Sequence, residues 1–185
     1  DGSLAWHGPW AKSRLRLTGF YSRVSDTIVF EPGAHFRYHP LNLGAANLAG
    51  GELEAALHPL ENLELAGWYA YLYSADDSGF PNRDGNALPG RPQRQAGVWV
   101  RLGRGPFFAR AALQVVGSNF INAANTKKLD ARCLVDASVG VQVQSWRLAV
   151  QGRNLGNDRA WDVRGLPLPG LAVFMTIAWN QEETK

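Results

Sequence analysis

Apolar and polar residues alternate one by one along most of this 185-residue chain. In residues 93–102, for example, Val98 and Val100 fall on one face while Trp99 and Arg101 fall on the other. Successive side chains of an extended chain point to opposite faces, so a period of two predicts β-strands. This period predicts eight full strands and a partial ninth, at about 3–7, 13–30, 42–57, 62–73, 93–102, 107–116, 132–143, 147–154 and 171–180. No segment has the period of an amphipathic helix.

The predicted connections between these strands are short and long in turn. The short ones fall at 59–61, 103–106 and 144–146, and the long ones at 31–40, 75–92, 119–131 and 160–170. An antiparallel barrel in an outer membrane sorts its connections in this way, with tight turns at one rim and long loops at the other. We therefore predict an all-β fold, a transmembrane antiparallel up-and-down β-barrel, in the outer membrane of a Gram-negative cell.

The two faces of the predicted strands differ in their chemistry. One face is aliphatic and aromatic, and the other carries charged and amide side chains. A charge facing lipid costs about 2–4 kcal/mol at the bilayer midplane, so we expect the charged face to line the lumen. The residues expected to face the lumen are Glu52, Glu54, Glu64, Arg101, Arg110 and Asp136. We favour the interpretation that these charged side chains pair with one another in a hydrated lumen wall, ahead of direct contact with a substrate.

Composition excludes several other classes of function. The net charge is only +3 and the basic residues are scattered, so a nucleic-acid surface is not indicated. The chain has a single cysteine, Cys133, which excludes an internal disulfide and a cysteine-based metal site. His35 and His39 have helical spacing beside Pro40, which does not support a metal site. No nucleophile elbow, P-loop or dinucleotide glycine pattern occurs, so we expect neither an enzyme nor a cofactor.

The long loops hold the candidate ligand contacts. The predicted loop at 75–92 mixes charged and aromatic side chains, which suits the capture of a chelate, although a plain solvated loop would look the same. The candidate contacts in the external loops are Asp76, Asp77, Phe80, Arg83, Trp161 and Arg164. Asn154 ends a strand, where asparagine bonds its own backbone and tolerates left-handed geometry, so we expect it to be structural.

Several short motifs follow one another in a specific order. They are N-L-G-A-A at 42–46 with G-G-E-L-E-A at 50–55, L-P-G-R-P at 88–92, V-Q-G-R-N-L-G-N at 150–157 and G-L-P-L-P-G at 165–170. In this order and spacing they resemble the C-terminal barrel half of TonB-dependent outer-membrane receptors. The chain departs from the pattern at Gln93, where the family usually has His, and at Leu171, where Arg is usual.

This resemblance implies a large plugged barrel of about 22 strands, of which residues 1–180 supply the last eight or nine. It also implies uptake of a scarce chelate such as a ferric siderophore or a cobalamin. The implied partners are outer-membrane lipid, the chelate and the TonB energy-coupling complex, which acts through a plug that nothing in this sequence resembles. The family usually ends in an aromatic residue, whereas 181–185 is a polar tail, a departure that puts the usual assembly route in question.

Two alternatives remain open from the residues alone. The first is a self-contained outer-membrane barrel of eight strands with a structural or adhesive role, or a small membrane enzyme; its interior would be filled by side chains. The second is a soluble β-sandwich or lipocalin-like binding protein, whose charged face would look outward to water. Solubility without detergent would favour the second alternative, and a native mass near 20.3 kDa would favour the first.

Overall fold

The fold, taken from a computed structural model, consists of β-strands joined by turns and loops. The structure describes residues 1–9, 12–25, 28–32, 37–42, 44–163 and 166–179. The strands are β1 (Gly2–Gly8), β2 (Ser13–Ser25), β3 (Ile28–Pro32), β4 (Tyr38–Asn42), β5 (Ala45–Leu60), β6 (Leu63–Asp76), β7 (Arg94–Arg104), β8 (Phe107–Val116), β9 (Asn119–Phe120), β10 (Lys128–Leu129), β11 (Arg132–Val143), β12 (Trp146–Arg153), β13 (Trp161–Val163), β14 (Leu166–Pro167) and β15 (Ala172–Trp179). Within those ranges, no helix has the length and apolar character needed to cross a membrane.

Nine of these strands form one antiparallel sheet. Its order is β1-β2-β5-β6-β7-β8-β11-β12-β15, so each strand pairs with its nearest long neighbours along the chain. This is an up-and-down arrangement, and it confirms the predicted eight full strands and partial ninth. In the described part of the chain β1 and β15 pair on one side only, so these strands form an open section of barrel wall.

The connections are sorted by length between the two ends of the sheet. At one end, two-residue turns at 61–62, 105–106 and 144–145 join neighbouring long strands. Gly105 (φ 57°) and Gln144 (φ 52°) adopt the left-handed conformation that tight hairpin turns need. At the other end, the connections at 26–44, 77–93, 117–131 and 154–171 are long. The predicted sorting is confirmed, and the turn expected at 59–61 lies slightly later because Leu60 still pairs with Leu63 beyond an irregularity.

The predicted strand at 13–30 is wrong in its length. β2 ends at Ser25, and the apolar run at 28–30 beyond it belongs to β3, which pairs with β4 in a separate hairpin. The apolar run at 28–30 is as typical of a continuing strand as of a new one, so the sequence alone does not show where the chain leaves the main sheet. Two more small hairpins, β9–β10 and β13–β14, lie within long loops whose strands are too short to show a period.

The strand register places apolar side chains on one face of the sheet. One row across neighbouring strands runs through Leu17, Leu53, Tyr69, Ala96 and Val115. The large side chains of this face are exposed, up to 73% for Met175. An exposed apolar surface of this extent is unusual in a soluble monomer, whereas a barrel wall covers it with lipid.

The opposite face is polar and carries the six charged residues expected to line the lumen. A row across it runs through Glu64, Arg101, Arg110, Ser138 and Gln151. The register puts all six charged residues on this face: Glu52, Glu54, Glu64, Arg101, Arg110 and Asp136. Two ion pairs join neighbouring strands here, Arg16 to Glu54 at 3.7 Å and Arg101 to Glu64 at 3.5 Å.

Two aromatic rings on the polar face lie against glycines of the neighbouring strand. A Cβ added at Gly97 would lie 2.5 Å from the Trp68 indole nitrogen, and one added at Gly140 would meet the ring of Phe108. Covering a strand glycine with a cross-strand ring restores packing that the missing side chain would otherwise supply. The glycines therefore let large rings lie along the wall rather than project from it.

Candidate functional site

The long connections pack into an ordered structure at one end of the sheet, here called the loop cap (residues 77–93 and 117–131 with the strand ends beneath them). Its apolar centre is formed by Ala46, Leu88 and Ala123, each at least 94% buried. The two loops are joined by hydrogen bonds, from the Gly90 N–H to the Phe120 carbonyl (2.7 Å) and from the Asn86 side-chain amide to the Ala123 carbonyl (3.0 Å). The loop at 75–92 is therefore folded against its neighbour rather than plainly solvated.

Asp76 braces the beginning of the loop at 77–93. The residue is only 4% exposed, and its Oδ1 accepts a hydrogen bond from the Ser78 N–H at 2.8 Å. Its Oδ2 lies 3.7 Å from Nε of Arg83, whose side chain is also buried. The Arg83 guanidinium lies 4.3 Å from the centre of the Phe80 ring, and this ring is exposed. Among Asp76, Phe80 and Arg83, three of the predicted ligand contacts, only Phe80 has an exposed side chain.

Asp77 joins the same loop to the end of β2. Its Oδ2 accepts a hydrogen bond from the Arg23 guanidinium at 2.8 Å, and both side chains are partly exposed. An exposed pair of this kind contributes about 0.2–1 kcal/mol, so it positions the loop only weakly. The Asp77 side chain therefore stays partly exposed at the surface of the loop cap.

Asn154 holds the loop at 154–171 against the sheet. It is 5% exposed and its φ is 48°, the left-handed conformation expected for it. Its Nδ2 donates to the carbonyls of Asp158 (2.8 Å) and Pro169 (2.9 Å), while its Oδ1 accepts from the Asp158 N–H (2.9 Å). Its own N–H donates to Oδ1 of Asp136 at 2.8 Å. These hydrogen bonds, the Asn154 network, connect β11, the loop and the chain just before β15.

Asp158 fixes the next part of that loop. Its Oδ2 accepts from the Cys133 N–H at 2.9 Å, and its Oδ1 accepts from the Ala160 N–H at 3.0 Å. Beyond Asp158 a cleft of about 620 Å³ opens between the β9–β10 and β12–β13 connections. The cleft, here called the loop cleft, is lined by Ile121, Lys127, Lys128, Leu129, Asp130, Ala131, Asp158, Arg159, Ala160 and Trp161.

The structure divides the predicted ligand contacts between two places. Asp76, Asp77, Phe80 and Arg83 belong to the loop cap, whereas Trp161 lines the loop cleft. Arg164 lies outside the described residues. Among the residues that the structure describes, no group of three or more His, Cys, Asp or Glu side chains is arranged to hold a metal ion. Sequence reasoning missed the cleft lysines at 127–128, although two adjacent cations in a long loop were a visible signal.

The sheet and its loop cap place the protein in the class of outer-membrane β-barrels, and this chain forms part of the barrel wall. Comparison with protein families agrees: the family model described as TonB dependent receptor-like, beta-barrel matches residues 1–155. The chain belongs to this family, and the protein is therefore an outer-membrane β-barrel protein. The likeness predicted from the ordered motifs is confirmed.

Curated and solved relatives are similar to parts of this chain. A ferrioxamine receptor of Yersinia enterocolitica is 26% identical over 110 residues, which are 59% of this chain and 16% of the receptor. The copper transporter OprC aligns with a TM-score of 0.79 at 17% identity, over 96% of this chain and 30% of its own. The siderophore receptor PiuA of Acinetobacter baumannii aligns with a TM-score of 0.75 at 19% identity, over 90% of this chain and 26% of its own.

These relatives are much longer than the region they share with this chain. The chain spans 16% of the curated receptor and 26–30% of the two solved structures. At these identities the solved structures show the fold alone.

Proposed function

We propose that the protein serves TonB-dependent uptake of a scarce metal chelate, with this chain supplying barrel wall and external loops. The observation that carries the proposal is the combination of an exposed apolar face, a charged opposite face and, among the described residues, an ordered loop cap at the long-loop end of the sheet. A purely structural barrel needs the two faces but has no need of a braced loop cap. Relatives named as a ferrioxamine receptor, a copper transporter and a siderophore receptor support the same activity.

In this proposal the chelate first meets the loops. Phe80 and Trp161 are the two exposed aromatic side chains among the predicted contacts, 53% and 42% exposed. Each ring is carried by a braced segment, Phe80 by the Asp76–Arg83 pair and Trp161 by the loop that Asp158 and the Asn154 network fix. Rigid aromatic side chains bind with a small loss of conformational entropy, which favours capture of a dilute ligand.

The charged face would then form the wall of the lumen. The pairs Arg16–Glu54 and Arg101–Glu64 compensate part of its charge across neighbouring strands. Such a wall stays hydrated and suits a barrel that is filled by a plug. Release of the chelate would be driven by the TonB energy-coupling complex through that plug.

Uptake of radioactive iron chelates by cells that carry the native protein tests this proposal. We expect uptake that is lost in a strain without TonB. We also expect Phe80→Ala with Trp161→Ala to weaken chelate binding to cells about tenfold, in line with the loss of about 1.4 kcal/mol. Phe107→Ala is the matched control, because Phe107 is an exposed aromatic residue at the opposite rim. TonB-independent uptake, or equal effects of the loop and control variants, would contradict the proposal.

A further inference from the structure

We propose that the loop cleft binds an anionic, oxygen-rich metal chelate and discriminates against cationic ones. The inference rests on the proposed uptake function and adds the charge class of the ligand. The cleft volume of about 620 Å³ falls within the range of about 300–1,000 Å³ typical of small-molecule sites. Its size therefore suits a chelate rather than a single ion.

Cationic side chains outnumber carboxylates in the loop cleft, and one of the carboxylates is already occupied by hydrogen bonds within the loop. Three cations line it, Lys127, Lys128 and Arg159, against two carboxylates, Asp130 and Asp158. Both oxygens of Asp158 already accept hydrogen bonds from backbone N–H groups, so this carboxylate is committed to the loop structure. Three cations then face a single exposed carboxylate, and within the described residues none of the three makes an ion pair. This balance attracts anions.

The remaining lining gives the cleft an aromatic and an apolar side. Trp161 is 42% exposed and lines the cleft together with Ile121 and the buried Leu129. An indole face stacks on planar conjugated groups, and lysine and arginine side chains donate to anionic oxygens. A catecholate or aryl-carboxylate chelate offers both features in one molecule.

Both sides of the cleft are held before any ligand arrives. On one side, Asp158 and the Asn154 network fix the loop that carries Arg159 and Trp161. On the other side, Asn122 braces the β9–β10 connection: its Oδ1 accepts from the Lys127 N–H at 2.9 Å and its Nδ2 donates to the Thr126 hydroxyl at 2.8 Å. A preorganised site loses less entropy on binding, so the cations stay where an anion meets them.

Titration of the detergent-purified full-length protein tests the inference. The probes are an anionic ferric tris-catecholate and a cationic ferric trihydroxamate, followed by quenching of tryptophan fluorescence. We expect the anionic probe to bind at least tenfold more tightly. Lys127→Glu with Lys128→Glu should lower its affinity at least tenfold without weakening the cationic probe. Arg104→Glu is the matched control, because Arg104 is an exposed cation at the short-turn end.

The outcomes separate this inference from the proposed function. If both probes bind equally and the double charge reversal changes neither affinity, the cleft inference fails while chelate uptake stands. If neither probe binds, both proposals fail. In the supporting case, Trp161→Phe should retain most of the affinity but reduce the quenching amplitude, because the reporting indole lines the cleft. An unchanged amplitude would place the ligand elsewhere and contradict the inference.

Discussion

Replacing Asn154 with alanine should loosen the loop at 154–171, which the Asn154 side chain ties to the chain just before β15. The substitution deletes the side-chain hydrogen bonds to Asp158 (2.8 and 2.9 Å) and Pro169 (2.9 Å). Three such bonds contribute about 1.5–4.5 kcal/mol net. Alanine also tolerates the φ of 48° less well than asparagine, which adds about 1 kcal/mol. We expect the free energy that keeps the loop at 154–171 closed to fall by about 2.5–5.5 kcal/mol.

Native-state trypsin digestion at Arg159 measures this free energy. The next N–H, that of Ala160, is bonded to Asp158, so cleavage requires the loop to open. When opening is fast relative to cleavage, the cleavage rate follows the open population, and a loss of 3 kcal/mol corresponds to a rate about 100-fold higher. Asn157→Ala is the matched control, because Asn157 has a similar φ of 49° but is exposed, and within the described residues its side chain accepts one hydrogen bond, from the Leu171 N–H.

Asn154→Gly separates the contribution of the side-chain hydrogen bonds from that of the left-handed backbone. Glycine adopts a positive φ without strain, so it restores only the backbone part of the loss. We expect Asn154→Gly to recover about 1 kcal/mol relative to Asn154→Ala and to stay far less protected than the native protein. Full recovery by glycine, or equal cleavage rates for Asn154→Ala and Asn157→Ala, would refute the assigned role of the side-chain hydrogen bonds.

Two further predictions concern the wall and the loop cap. Gly140→Ala forces its new Cβ into the Phe108 ring and should lower stability by about 1–3 kcal/mol in urea unfolding, whereas Gly19→Ala meets nothing within 4 Å; equal losses would contradict the packing argument. Arg83→Ala leaves the buried carboxylate beside it without its ion-pair partner and should destabilise the protein by about 3–5 kcal/mol, against about 0.2–1 kcal/mol for the exposed Arg23→Ala. Thermal melting in detergent compares the two arginine variants, and a larger loss for Arg23→Ala would contradict the burial argument.

The nine wall strands were predictable because each alternates over many residues. In β11, for example, Val135, Val139 and Val141 occupy one face, and the register keeps them there. Valine also favours strands because its branched side chain packs well on a pleated surface. The end of β2 at Ser25 was not predictable, since the apolar residues at 28–30 also have strand character but form a hairpin that leaves the sheet. Local pattern reports which face a residue occupies but not which strand it pairs with.

The loop end was predictable only in part. The residue types at Asp76 and Arg83 indicated a charged loop, but their burial depends on packing between two loops that no sequence period reports. For Asn154 the sequence predicted a structural role with left-handed backbone, which the structure confirms. Its bond to the Pro169 carbonyl joins positions fifteen residues apart and is visible only in three dimensions.

The orientation of the two faces of the wall is the central claim, and spin labelling of β11 in native-like lipid tests it most directly. In a Cys133→Ser background, single labels replace Ser138, Val139, Val141 and Gln142. We predict that dissolved oxygen, which concentrates in the bilayer, relaxes the labels at 139 and 141 strongly, while a water-soluble nickel reagent reaches those at 138 and 142. Equal access along the strand, or the reverse alternation, would contradict the account of a lipid-facing apolar wall.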